Sequence, residues 1–539
     1  MNPSYASGAA PQPLLGETIG ARLRQTCERW PDRDALVVRA QGYRASYAQL
    51  WSQVEDAARA LLASGVAKGD RVGVWAPNRF EWVLMQFATA RIGAIQVNVN
   101  PAYRAHELRY ALNHSGVKLL VMAENFRATS YEEILGSVRD ELPKLDDVLV
   151  IDQGWDAFIE KGQGVAASDV EAIEATLQFD EPINIQYTSG TTGSPKGATL
   201  SHHNILNNAF LVGSMCHYSE ADRVCIPVPY YHCFGMVMGN LACATFGATM
   251  VTPGPAFHPG ECLAAVEEER CTSLYGVPTM FIGMLAHEDL DKRDLTSLRT
   301  GIMAGSPCPV EVMKKVKTKM NMDEVTIAYG MTETSPVSTQ TAIGDPIDKQ
   351  VSTVGRVLPH TEIKIVDPVS GAVLPRGEKG ELCTRGYCVM LGYWDNAEAT
   401  RGAIDGAGWM HTGDLATMDD EGYVKIVGRI KDMIIRGGEN ISPREIEEFL
   451  YTHPDVEDAQ VIGVPSEKYG EEVMAWVKVR AGAQPTDAEL TAFCTGNIAT
   501  FKIPRYWKIV DAFPMTVTGK IQKYKMRAVS IEELGLSAD

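Results

Sequence analysis

The 539-residue sequence has no Cys-x-x-Cys pair, and its 11 cysteines are scattered and odd in number. A zinc ribbon and a disulfide framework are thereby disfavoured, and reduced thiols in a cytoplasmic setting are expected. No run of about 18 apolar residues occurs, so no integral membrane segment is expected. The first basic residue is Arg22, which argues against both a secretory signal and an Arg-rich transit segment. Positive charge is also scarce, with 50 Lys and Arg against 68 Asp and Glu and a formal net charge of −18. A field of that sign repels phosphate backbones and anionic lipid surfaces, so no nucleic acid or membrane partner is expected. Any anionic ligand must be held by a local feature strong enough to oppose the global charge. Internal repeats and low-complexity tracts are missing as well.

What is present is the composition of a packed globular protein, 45% hydrophobic and 22% charged. The length exceeds the roughly 250–300 residues at which single cores stop growing, so more than one domain is required. Residues 47–64 carry apolar side chains at helical spacing and stop at Gly65, and residues 71–75 read as a buried strand. Residues 79–92 repeat the helix with Gly93 as its stop, and 94–98 read as the next strand. This alternation predicts an α/β fold with a mostly parallel sheet covered by helices, whose ligands bind beyond the carboxyl ends of the strands. The acidic, glycine-containing stretch from Asp152 to Glu181 reads as a surface excursion. Short strands and turns follow Gly355. Ser442-Pro443-Arg444-Glu445 then reads as a capping box opening the helix 445–452, with strands at 458–464 and 473–479 and a helix near 486–494. The tail after Asp432 can therefore form its own α+β domain.

The most informative stretch is the strand from Ile183 to Thr188 running into Ser189-Gly190-Thr191-Thr192-Gly193-Ser194-Pro195-Lys196-Gly197. Backbone amides, hydroxyls and one ammonium in such a loop suit polyphosphate oxygens. It is not a Walker loop, because Pro195 precedes the lysine and Gly197 follows it, where that motif has Gly before and Ser or Thr after.

Here the sequence resembles the adenylate-forming superfamily of acyl-CoA synthetases, luciferase-type enzymes and peptide-synthetase adenylation domains. Further motifs follow in order: Tyr329-Gly-Met-Thr-Glu333-Thr, Trp409-Met-His-Thr-Gly-Asp414-Leu, Gly428-Arg429-Ile-Lys431-Asp432, Ile435-Arg-Gly437-Gly438-Glu-Asn, and Thr518-Gly519-Lys520. Flanking text such as Ala304-Gly-Ser-Pro and Arg385-Gly-Tyr-Cys-Val-Met-Leu-Gly-Tyr-Trp is most similar to the medium-chain acyl-CoA synthetases of the family-member-two type. The resemblance implies a large N-terminal domain of layered αβα sheets with a small β-barrel-like subdomain over residues 1–430. A mobile α+β lid would span 431–539, with its hinge at Lys431.

For the site, the resemblance implies that Thr188 and Glu333 ligate Mg²⁺. ATP would be held by residues 188–196, Gly305, Ser306, Tyr329, Gly330, Met331, Thr332, Asp414 at the ribose, Arg429 and Lys520. Lys520 would approach the α-phosphate. His232 is expected to position substrate, and the acyl and CoA paths to run along Cys233, Met236, Val237, Ala304, Gly330, Gly437 and Gly438. Gly330 would leave the acyl pocket open where acetate-specific relatives carry Trp. Residues 502–527 hold a local excess of six positive charges in an acidic chain, which is read as support for Lys520.

The expected activity is an ATP-dependent acid–thiol ligation through acyl-AMP, using a medium-chain or similar aliphatic acid, ATP, CoA and Mg²⁺. A luciferase-like enzyme, another adenylate former and a non-catalytic nucleotide or acyl sensor are the alternatives. No carrier segment follows Lys520, which disfavours a peptide-synthetase module. A homodimer would be the commonest closed assembly.

Overall fold

The computed structural model describes residues 2–10, 12–188, 195–306, 308–437, 439–516 and 521–536, with the side chains of 439 and 440 left aside. It is a mixed α/β fold with a large N-terminal and a small C-terminal domain. By packing, the chain forms two compact units, Ala6–Ile363 with Thr384–Met410, and Met1–Tyr5 with Lys364–Cys383 and His411–Asp539.

In the larger unit the predicted βαβα rhythm is realised. Ser46 caps the helix Tyr47–Ala63 in a reciprocal capping box with Gln49, and Leu50, Val54, Ala57, Ala58 and Leu61 form its buried stripe. The helix Phe80–Ile92 stops where Gly93 takes a left-handed conformation (φ 67°). Its flanking strands Arg71–Trp75 and Ile95–Asn98 pair in parallel. They belong to a seven-stranded sheet in which Pro182–Thr188 lies beside Ile95–Asn98, and Lys196–Ser201 and Gly392–Tyr393 complete that edge. A second, nine-stranded sheet has Arg223–Cys225, Ser273–Gly276, Thr300–Ala304 and Glu324–Gly330 as parallel neighbours. Both sheets carry antiparallel strands only towards their edges.

One local expectation is refined and one is corrected. The 152–181 stretch is mostly helical, with helices Ile151–Lys161 and Ala167–Glu174 that bury Ile151, Phe158 and Val170. Glu174 lies 3.2 Å from Arg91, a fully buried guanidinium that also stacks 3.9 Å over Trp51, so one acid of the stretch serves an internal ion pair while Asp152, Asp156, Glu160, Asp169, Glu171 and Asp180 are exposed. At Pro443–Leu450 the helix begins at the proline as expected, but the capping box does not form. The Ser442 hydroxyl donates instead to the Val427 carbonyl at 2.7 Å, and Glu445 pairs with Lys502.

In the smaller unit, residues 364–366, 380–383, 411–418 and 424–429 are neighbouring strands in that order. The tail has a sheet of its own, with Val456–Ser466 antiparallel to Gly470–Val479 and Tyr506–Ile509 parallel to the latter. Ile434, Ile446, Leu450, Val461, Val473, Ala475 and Leu490 form a core cluster within this tail. All 11 cysteines are free thiols and all but Cys308 are buried. Among the described residues no helix is long and apolar enough to cross a membrane.

Candidate active site

Thr188 ends one strand and Lys196 begins the next, and the two face each other in the antiparallel register. Residues 189–194 of the loop between them, which include the candidates Ser189, Gly190, Thr191, Thr192, Gly193 and Ser194, lie outside the described residues, as do Gly438 and Lys520. Pro195 leads directly into the second strand. The Thr188 hydroxyl donates to Glu333 Oε1 at 3.2 Å, across 145 residues of sequence, with the Lys196 carbonyl a more distant acceptor at 3.4 Å.

Glu333 is 5% exposed and sits in a single 3₁₀ turn, Thr332–Thr334. Such a turn offers no extended helix dipole to stabilise a carboxylate. What holds Glu333 is a set of specific donors and backbone bonds: the Met390 amide donates to its carbonyl at 2.9 Å, and the Tyr393 hydroxyl donates to Oε1 at 2.9 Å. Oε1 thus receives two hydroxyls. Burial, reinforced by the adjoining Glu333 carboxylate, pushes the Tyr393 phenol well above its ordinary range, so it stays a donor throughout the physiological pH range. The Lys196 ammonium stands 5.0 Å from the centre of the Tyr393 ring. Tyr393 was missed as a site residue. Its one signal was its place in the Gly392-Tyr393-Trp394 text that helped carry the resemblance.

Ala304, Gly305 and Ser306 leave the carboxyl end of Thr300–Ala304, and Tyr329 to Thr332 leave that of the adjacent Glu324–Gly330. Ala304 and Thr332 are buried, whereas Gly305, with φ +90°, and Ser306 are exposed. Gly330 has a different reason for being glycine than the one first read from it. A Cβ there would fall 1.7 Å from the Pro336 carbonyl oxygen, at the bulge where the strand pairs with Val337–Gln340. Backbone contact therefore excludes a side chain at this position, and an open pocket is not needed to account for it.

His232 is half-buried, and its Nδ1 accepts the Phe234 amide at 3.3 Å, which leaves Nε2 to carry the ring proton. It precedes a π-helical segment, Phe234–Leu241, a geometry that recurs at functional sites. Gly235 is required there, since a Cβ would meet the Pro229 carbonyl at 2.4 Å. Cys233, Met236 and Val237 are all closed to solvent.

A chain of buried amides that the sequence did not reveal links this segment to the strand bearing Thr188. Gln186 donates to Asn184 (2.9 Å), Asn184 to Asn98 (3.0 Å), and Asn98 to the Tyr231 carbonyl (3.0 Å), while the Cys233 thiol donates back to Gln186 (3.2 Å).

In the smaller unit Asp414 and Arg429 occupy facing positions on paired strands. Arg429 Nε lies 2.7 Å from Asp414 Oδ1; Asp414 is 6% exposed and Arg429 56%. Lys431 is exposed in a one-turn 3₁₀ segment, Ile430–Asp432. Gly437, with φ +60°, donates its amide to the Tyr469 carbonyl. The positive excess of residues 502–527 is largely neutralised: Lys502 pairs with Glu445, Lys508 with Glu533, Lys523 with Glu447 and Arg527 with Glu471. Local charge therefore lends Lys520 less support than the sequence count suggested.

Residues 23–394 match the family described as AMP-binding enzyme. The chain belongs to that family. The AMP-binding enzyme C-terminal domain matches residues 445–520. Among curated relatives, the chain is 50% identical to a Bacillus subtilis (strain 168) protein, YngI, whose name places it with the acyl-CoA synthetases, over 97% of this chain and 99% of that one. It is 47% identical to the Danio rerio protein named medium-chain acyl-CoA ligase ACSF2, mitochondrial, over 99% of this chain and 91% of that one. Among solved structures, a Mycobacterium tuberculosis fatty acyl CoA synthetase aligns with a TM-score of 0.76 at 30% identity, over 96% of this chain and 99% of that one. For an AMP-binding enzyme, ATP and CoA are fitting substrates. The cluster of Thr188, Lys196, Glu333 and Tyr393 lies wholly inside the region matched to the family.

Proposed function

We propose that this AMP-binding enzyme is an AMP-forming acid–thiol ligase that activates a medium-chain or similar aliphatic carboxylic acid. In the first step a carboxylate oxygen attacks the α-phosphorus of ATP and pyrophosphate leaves. In the second the CoA thiolate attacks the acyl carbon, AMP leaves, and the thioester forms. The observation that carries the reading is the buried Glu333 carboxylate, gathered with Thr188, Tyr393 and Lys196 at the mouth of the glycine-rich loop.

The oxygen-only donors Thr188 and Glu333 fit a hard cation, and among the described residues both hydroxyls that reach the Glu333 carboxylate fall on Oε1. Bound there, Mg²⁺ would neutralise phosphate charge. Residues 189–196 would hold the phosphates through backbone amides and hydroxyls, and Gly305, Ser306 and residues 329–332 would border the nucleotide. Asp414 would accept the ribose hydroxyls, with Arg429 already oriented by its ion pair to that carboxylate. Lys520 would stabilise the charge that builds on the α-phosphate.

His232 would position the acid, since carboxylate attack removes no proton, and Cys233, Met236, Val237 and Ala304 would line the acyl path. Residues 1–430 would act as the catalytic body and 431–539 as a lid that turns about Lys431 and brings Gly437 and Gly438 to the pantetheine chain. A reducing compartment such as the cytoplasm suits a chain whose 11 cysteines are all free thiols. Homodimerisation is the simplest assembly consistent with this reading, and sedimentation would read it directly.

The deciding experiment is a panel of straight-chain, branched and aryl acids incubated with ATP, Mg²⁺ and CoA and read as AMP release. Medium-chain acids should give the highest kcat/KM. AMP release from none of them, or only from aryl acids, would overturn the reading.

A further inference from the structure

Apart from the residues assigned to ATP, acid and CoA, one group of side chains in the smaller unit combines the donors of a metal centre. Glu381 and Cys383 stand two residues apart on the strand Gly380–Gly386, a spacing that turns both side chains to the same face. His411 comes from the neighbouring strand Met410–Met418. The carboxylate, thiol and imidazole donor atoms all lie within 4.8 Å of one another. His411 Nδ1 is 2.8 Å from Glu381 Oε2 and 3.6 Å from Cys383 Sγ. Tetrahedral zinc, with bonds of about 2.0–2.3 Å, separates its ligand atoms by roughly 3.3–3.6 Å. The thiol–imidazole spacing already has that value, and the imidazole–carboxylate pair would open by about half an ångström.

We propose that Glu381, Cys383 and His411 bind one thiolate-accepting divalent cation of the Zn²⁺ class, with water in the fourth position. The donor set selects against Mg²⁺ and Ca²⁺, which take oxygen ligands, and so separates this centre from the cation of the ligase reaction. Cys383 and Glu381 are buried, while the His411 side chain is 33% exposed and gives an ion a route from solvent. The second carboxylate oxygen, Glu381 Oε1, accepts the Gly413 amide at 3.1 Å, an outer contact of the kind that orients a ligating carboxylate. Binding places the metal–sulfur bond where the S–H bond was and releases the thiol proton to solvent, and the imidazole proton that now bonds Glu381 Oε2 from Nδ1 passes through solvent to Nε2, freeing Nδ1 for the metal. Affinity therefore rises with pH, and the ion staples two strands immediately before Asp414. The inference does not depend on which acid the enzyme activates.

The test uses the full chain, stripped with a chelator and titrated with Zn²⁺ in competition with a chromophoric chelator. One tight equivalent is expected, with proton release, and added Zn²⁺ should raise the thermal unfolding midpoint. Loss of an outer-shell partner already costs about 10–100-fold in affinity, so losing a ligand in Cys383→Ser or His411→Gln should weaken binding by at least about 100-fold and abolish the Zn²⁺-dependent stabilisation. Cys308→Ser, at the one partly exposed thiol, should bind as the parent does. Should the buried Cys383 variant fail to fold, the partly exposed His411 variant decides alone. The proposal is overturned if the parent binds no tight equivalent, or if His411→Gln binds Zn²⁺ as tightly as the parent.

Discussion

Replacing Tyr393 with Phe deletes one hydroxyl and leaves the ring, so the 5.0 Å stacking of the Lys196 ammonium survives and only the bond to Glu333 is tested. That bond, 2.9 Å long to a carboxylate that is 5% exposed, is one of two hydroxyl donors on Oε1, the other being Thr188 at 3.2 Å. Hydrogen bonds to charged groups contribute about 1.5–3 kcal/mol, and about 1.4 kcal/mol corresponds to a factor of ten. The variant should therefore lose roughly 10- to 100-fold in kcat/KM for adenylation. The assay is carboxylate-dependent pyrophosphate exchange across a Mg²⁺ series, with thermal unfolding to establish that the variant is folded. If Tyr393 orients a metal-ligating carboxylate, the half-saturating Mg²⁺ concentration rises and excess Mg²⁺ restores much of the rate. A Tyr393→Phe enzyme with the parent's Mg²⁺ dependence and a rate within about two-fold would refute the reasoning.

Lys520→Ala should abolish pyrophosphate exchange while leaving thioester formation from supplied acyl-AMP largely intact; equal loss of both half-reactions would reject its assignment to the α-phosphate. Gly330→Ala should lower the unfolding midpoint, because its Cβ would fall 1.7 Å from the Pro336 oxygen and such overpacking costs about 1–3 kcal/mol or more; unchanged stability would show that the strand gives way freely. Asn184→Ala should cost about 1–3 kcal/mol in urea unfolding by leaving the Gln186 amide and the Asn98 oxygen short of partners, and a near-neutral result would mean that the amide chain re-pairs. His202 is fully buried, its Nδ1 accepts the Ile19 amide, and burial pushes its pKa from 6.5 down to about 3. Unfolding then takes up a proton below pH 6.5, so stability is full above that pH and falls towards pH 3 by up to about 1.4 kcal/mol per unit. His202→Leu should flatten that slope by one proton, and identical slopes would overturn the assignment.

The elements that could be read from the sequence are those whose signals are local. Apolar side chains at helical spacing and a glycine after them delimit the helices Tyr47–Ala63 and Phe80–Ile92 to within a residue. The 152–181 stretch lies mostly at the surface as expected, but its charge and glycine content hid Ile151, Trp155, Phe158 and Ile159, which recur at helical spacing. The Ser442 capping box failed for a non-local reason: its hydroxyl had a carbonyl 15 residues upstream to bond instead.

The same distinction governs the site. Thr188 and Glu333 were found through motif text, although they meet only across 145 residues. Tyr393, 60 residues beyond Glu333, has no motif that names its partner. Two readings of single residues are weakened for one cause. A local count of positive charge over 502–527 could not see Glu445, Glu447, Glu471 and Glu533, which neutralise it from elsewhere in the tail. A missing side chain at Gly330 could not reveal whether the vacant volume belonged to a substrate or to the Pro336 backbone. In both cases the sequence states what a residue contributes and is silent on what meets it. For that reason substitutions at Gly330 are a poor probe of acyl chain length, whereas residues whose side chains face one another, such as Tyr393 and Glu333, give variants with a readable outcome.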